Sequence, residues 1–282
     1  KVDAQRRPFL TTLARLHTRE ADWDGKWWTT RPDTSGPYYK PETWSESDRI
    51  AAVLRAELLK ANKTEQRWLL TELRRHKVTL PEAAELILHL AADDAALRPA
   101  ALDVIASRPA DAATLPLLRS VAEASKEPLP LRAKAVRLLQ RIGSPEATDI
   151  AFRVHADWAD ENSSNEVIAV RDEFLKDNRQ AERVAALIKL AVDPALAAGG
   201  TVATSPAGKR RDAVEVVSEL AFATLLHLSQ NNGVSKEARE LAAKSVEAAW
   251  QNEATTIRLL RAVGLARFDT YELQVRAHLA DK

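Results

Sequence analysis

Leu131-Arg132-Ala133-Lys134-Ala135-Val136-Arg137-Leu138-Leu139-Gln140-Arg141-Ile142 is the stretch that decides the fold class. Leu131, Ala135, Leu138, Leu139 and Ile142 stand at i, i+4, i+7, i+8 and i+11, which is one apolar stripe on a helix and not the period-two alternation of a strand. Ile50, Val53, Leu54, Leu58 and Ala61 repeat the pattern upstream, and Val214, Val217, Ala221, Leu225 and Leu228 repeat it downstream. Helix starts are legible as well. Thr79-Leu80-Pro81-Glu82 and Asp269-Thr270-Tyr271-Glu272 each set a capping side chain three residues before a Glu, and Ser144-Pro145-Glu146 sets Pro in a first turn. With only 8 Gly and 13 Pro to interrupt the chain, the spacing predicts helices over about 5–19, 46–61, 64–76, 81–92, 95–107, 111–124, 130–142, 145–158, 163–176, 178–192, 212–231, 235–251, 253–266 and 269–280. The expected fold class is all-α.

A repeat runs through these helices. Arg98-Pro99-Ala100-Ala101 and Arg132-Ala133-Lys134-Ala135 align at an offset of 34 residues, with Ile105 and Leu139 each seven positions after the Arg. Arg183 with Ala186 and Leu190, and Arg239 with Ala242 and Val246, continue the frame at offsets of 51 and 56. An inward Ala lets two helices approach closely, so Ala101, Ala135, Ala186 and Ala242 are expected to face the interior of stacked helical hairpins. Periods of roughly 34 to 47 residues belong to tetratricopeptide and HEAT or armadillo arrays. The tetratricopeptide Trp, Gly and Tyr landmarks are absent. The expectation is a HEAT-like α-solenoid of about six or seven antiparallel helix pairs.

Composition narrows the function classes. The 41 Lys and Arg against 40 Asp and Glu leave +1, so no overall field steers the chain to nucleic acid or to an anionic membrane. Zero Cys excludes disulfides, thiolate metal sites, a cysteine nucleophile and covalently attached c-type haem within these residues. No apolar run approaches the roughly 18 residues of a membrane helix. Lys1-Val2-Asp3-Ala4-Gln5 reads as neither an initiator segment nor a signal peptide, so the chain is expected to be a piece of something larger.

Two segments break the helical pattern, and they divide a single domain over 1–282 into an N-terminal helix and aromatic loop (1–45), a first array (46–192), a loop (193–211) and a second array (212–282). Residues 193–211 hold three of the eight Gly and no apolar face, and 197–209 are expected to be the most protease-prone internal stretch. Residues 22–44 are different in kind, because they concentrate Trp23, Trp27, Trp28, Tyr38, Tyr39 and Trp44, six of the ten Trp and Tyr in the chain.

The run from Leu13-Ala14-Arg15-Leu16-His17 through Asp22-Trp23-Asp24-Gly25, Trp27-Trp28-Thr29-Thr30-Arg31-Pro32-Asp33-Thr34 and Gly36-Pro37-Tyr38-Tyr39 to Trp44 resembles one segment of the large exported PVC-type proteins of planctomycetes and verrucomicrobia. In these a dehydrogenase-like β-propeller, HEAT repeats and a c-type haem domain follow one another. The resemblance implies the HEAT section, an exported or periplasmic location, and haem in a neighbouring domain. Without a Cys-x-x-Cys-His motif here, it assigns no haem ligand and no catalytic residue to this chain, for which no cofactor is expected.

Little else carries chemistry. His17, His76, His89, His155, His227 and His278 show no metal-ligand spacing and read as isolated surface or groove residues. Asp22-Trp23-Asp24-Gly25 opens like a calcium loop but lacks the closing Glu. No phosphate loop and no nucleophile elbow is present. The basic runs Arg74-Arg75-His76-Lys77 and Lys209-Arg210-Arg211 read as solvated faces, and no nucleic-acid partner is expected. Two readings stand for the aromatic loop. Trp27, Trp28, Tyr38, Tyr39 and Trp44, with Arg31 and Asp33, either stack and hydrogen-bond a sugar or small ligand, or fold back to cap the open end of the solenoid. The chain as a whole reads as a non-enzymatic scaffold for a protein partner or its own sister domains. Carbohydrate binding is one alternative, and a HEAT-like enzyme of the DNA glycosylase or bilin lyase type is another, on fold analogy.

Overall fold

The computed structural model describes residues 2–21, 41–158, 164–176, 178–193, 213–267 and 271–280. They are almost entirely helical, with fourteen α-helices at the places the periodicity predicts. Contacts group the chain into two compact units, Lys1–Val104 and Ile105–Lys282.

The first unit is built from α1 (Val2–Leu16), α2 (Ser47–Lys60), α3 (Lys63–Arg75) and α4 (Pro81–Ala91). Leu10 and Ala14 of α1, Ile50, Leu54 and Leu58 of α2, and Leu69, Leu70 and Leu73 of α3 form its core. Val53 lies 40% exposed, outside the stripe the sequence assigns it to. Polar contacts fix the helix directions. Arg6 meets Glu57 at 2.6 Å and the Ser47 hydroxyl donates to the His17 carbonyl at 2.6 Å, so α1 and α2 are antiparallel. Arg7 meets Glu65 at 2.6 Å and Thr11 donates to Glu72 at 2.9 Å, so α1 and α3 run side by side in one direction. The Asn62 side chain caps α3 by accepting from the Glu65 amide. Helix α4 begins on Leu80 without a side-chain cap, and Pro81 instead of Thr79 supplies its start signal. A two-residue antiparallel ladder, β1 (Arg19–Glu20) with β2 (Pro41–Glu42), is a feature the helical periodicity does not foretell.

The boundary between the units falls within α5 (Arg98–Ala106). Helices α5 and α6 (Leu115–Glu123) share one kind of start. Asp94 and Asp111 accept from the amides of Ala96 and Ala113, a 3₁₀ turn follows, and the α-helix begins beside a Pro. Each helix therefore starts about three residues later than the apolar pattern suggests, because Pro99 and Pro116 have no N–H for the preceding turn.

The second unit continues with α7 (Leu129–Ile142), α8 (Pro145–Asp157), α9 (Asn165–Lys176), α10 (Val184–Val192), α11 (Ala213–Gln230), α12 (Lys236–Trp250), α13 (Glu253–Ala266) and α14 (Glu272–Ala280). Ser144 caps α8, accepting from the Ala147 amide at 3.1 Å. Helix α11 packs on α8, α9, α10, α12 and α13. All ten residues from Val217 to Leu226 are buried, so the single stripe expected on this helix is replaced by burial all round. The seam residues Ala101, Ala135 and Ala242 are fully buried, and Ala186 is only half-buried, because the chain before α10 is wound as a 3₁₀ helix (Asn178–Arg183) and not as the α-helix the frame assumes.

Candidate functional site

Of the aromatic-loop residues singled out, Trp27, Trp28, Arg31, Asp33, Tyr38 and Tyr39 lie outside the described residues, as do Lys209-Arg210-Arg211 and the 197–209 stretch. Trp44 is described. Its indole N–H donates to the Leu16 carbonyl at 2.8 Å, and its amide donates to the Ser47 hydroxyl at 2.8 Å. Ser47 in turn donates to the His17 carbonyl, so Trp44 and Ser47 satisfy two carbonyls at the end of α1 that the helix leaves unpaired. Arg19 and Glu42, opposite each other in the β1–β2 ladder, form an ion pair at 2.7 Å and join the two ends of the 22–40 segment.

The most concentrated chemistry among the described residues lies elsewhere, and the sequence reading misses it. His155 of α8 and Trp158, the residue that ends it, are buried with Phe152 and Phe174. Phe174 packs on Phe152 at 4.7 Å and edge-on to His155 at 5.5 Å, and the Arg132 guanidinium lies 5.4 Å over the Trp158 ring. The Nε2 atom of His155 is 3.3 Å from the Val167 carbonyl. Burial pushes the imidazole pKa down to about 4, against the Val167 hydrogen bond and with a smaller push from Arg171, so His155 is neutral at pH 7. Its Nδ1 and the indole N–H of Trp158 have no hydrogen-bond partner among the described residues. His155 is thus a core residue, not the surface or groove residue expected. The available signal was the i, i+3, i+6 spacing of Phe152, His155 and Trp158, which lays all three along one side of α8.

The other histidines are scattered. His17, His76 and His227 are part-buried, each with its pKa lowered chiefly by burial, while His89 is exposed. Among the described residues no group of three His, Asp or Glu is arranged to hold a metal ion, and no helix is long and apolar enough to cross a membrane.

Two arginines of the repeat frame, Arg132 and Arg183, share a chemical role with Arg141, which lies outside it. Buried Arg132 donates to the Ala122 carbonyl at 3.1 Å, Arg141 to the carbonyls of Ala106, at 2.7 Å, and Ile105, and buried Arg183 to the carbonyl of Gln140 and the hydroxyl of Thr148. Each arginine closes the C-terminal end of an earlier helix, α6, α5 and α7 in turn, where exposed carbonyls and the helix dipole favour a cation. Gly143 serves the same joint. Its φ of +79° suits a residue without a side chain, and a Cβ there would lie 2.7 Å from the Arg183 guanidinium.

These features define an all-α protein of short, closely connected helices. No family model, curated protein or solved structure matches the chain.

Proposed function

We propose that the chain is a HEAT-like α-solenoid of about six or seven helix pairs, serving as a non-enzymatic scaffold for a protein partner or for sister domains of a larger exported protein. The observation that carries the reading is the order of helix packing in the second unit. There, α6 meets α7 and α8, α7 meets α8 and α9, α8 meets α9's successor α10, α9 and α10 meet α11, α10 meets α12, and α11 meets α12 and α13. Contacts between sequence neighbours and next-but-one neighbours are what stacked hairpins require, and α8 with α11 is the single longer step among these interfaces. Surface ion pairs follow the same step. Arg7–Glu65 joins α1 to α3, Arg55–Glu82 α2 to α4, Arg137–Glu173 α7 to α9, and Arg261–Glu215 α11 to α13.

Such an array offers broad helical faces, which suit binding to a protein partner. The resemblance supplies the partners to try, a propeller and a haem domain beside these residues. The test is co-expression of 1–282 with the segments that flank it in its reading frame. A complex that survives size-exclusion chromatography at physiological salt supports the scaffold. Separate elution, or a reading frame with no further domain on either side, overturns it.

A further inference from the structure

Because α1 and α3 run in one direction, their C-terminal ends lie together. That end carries Arg15 in the last turn of α1, Arg74 and Arg75 in the last turn of α3, and Lys77 just beyond it, all exposed. Elsewhere in this unit arginines are matched to carboxylates: Arg6 with Glu57, Arg7 with Glu65, Arg19 with Glu42, Arg49 with Glu46, Arg55 with Glu82 and Arg67 with Asp94. At this end Arg15, Arg74 and Lys77 have no carboxylate in ion-pair range among the described residues.

Glu72 does not neutralise the group. It is buried, it accepts from Thr11, and it stands 3.8 Å from both Arg75 and His76. Asp48, at the start of α2, acts electrostatically on His17. The dipoles of α1 and α3 bring about half a negative charge each, too little to balance four cations and one carboxylate. Lys77 also holds a backbone φ of 56°, closing α3 with bonds from its own amide to Arg74 and from Val78 to Leu73, at the left-handed position where Gly is usual.

We propose that this joint end of α1 and α3, with Arg15, Arg74, Arg75 and Lys77, is a docking surface for an acidic segment of a protein partner. Four cations less Glu72 and the two helix dipoles leave about two positive charges, which match about two carboxylates of a short acidic stretch. Nucleic-acid binders neutralise about 6–10 phosphates, and the unit's other arginines are already occupied. The inference rests on the scaffold reading and adds the chemistry of what is bound.

The probe is fluorescein-labelled hexaglutamate, followed by anisotropy at about 20 mM salt, where surface charges are weakly screened. The parent chain is expected to bind it, Arg15→Glu with Arg74→Glu to weaken binding about tenfold or more, and salt near 0.2 M to reverse it. Arg15→Gln with Arg74→Gln carries the test if circular dichroism shows the charge-reversed chain unfolded, and Arg119→Glu, on α6, should change nothing. No binding by the parent, equal binding by the variants, or tighter binding of a short single-stranded oligonucleotide overturns the proposal. A complex with the flanking segments that forms regardless would leave the scaffold standing without this surface.

Discussion

At Gly143 and Arg183 one residue's backbone and another's side chain are a single joint. Gly143→Ala adds a Cβ at a left-handed φ and drives it into a guanidinium that is buried and hydrogen-bonded to Gln140 and Thr148. The expected loss is about 1–3 kcal/mol by urea unfolding, and a midpoint matching the parent would contradict it. His155 sets a pH dependence whose sign is fixed. Its folded pKa of about 4 lies below the unfolded value of 6.5, so the unfolded chain binds the extra proton between them and stability falls as pH drops through that window. The loss approaches about 3 kcal/mol at the acid end, and His155→Phe, which packs in the same aromatic site, should flatten that part of the curve. The Gly143–Arg183 joint is not legible locally. Gly143 and Arg183 are forty positions apart, and only the fold brings them together.

Among the elements, the apolar periodicity locates most helices to within about four residues, because each short helix must bury one stripe and because Asp, Asn or Ser caps mark several starts, while α10 begins six residues late because 178–183 are wound as a 3₁₀ helix. Helix α11 departs from this rule. A helix surrounded by five others is buried all round, Ser218, Glu219 and Thr224 included, and the part of its pattern that resembles one stripe conceals the rest. The seam alanines offer a paired test. Ala135→Leu should overpack a fully buried site and cost about 1–3 kcal/mol, whereas Ala186→Leu at a half-buried site should cost less than about 1 kcal/mol. Equal costs would remove the packing basis of the repeat frame. At the end of α3, Lys77→Gly should stabilise the first unit by about 0.5–1 kcal/mol, since Gly accepts the left-handed conformation without strain. A lower melting temperature would contradict that.

For the molecule as a whole, the candidate site was less legible than the fold. Of the seven loop residues the sequence singles out, Trp44 is the one described, and its role there is to close the end of α1. The buried aromatic cluster around His155 needs α7, α8 and α9 to arrive at one place, so the spacing of Phe152, His155 and Trp158 announces only the part that α8 contributes. The central claim, a stack of hairpins held by neighbours, is tested most directly by native-state hydrogen exchange across the described helices. If stability is a sum of hairpins and their interfaces, amides should open in hairpin-sized groups, α12 to α14 at lower free energy than α7, α8 and α11. One common opening free energy for every helix of the second unit would show a single cooperative core and contradict the account.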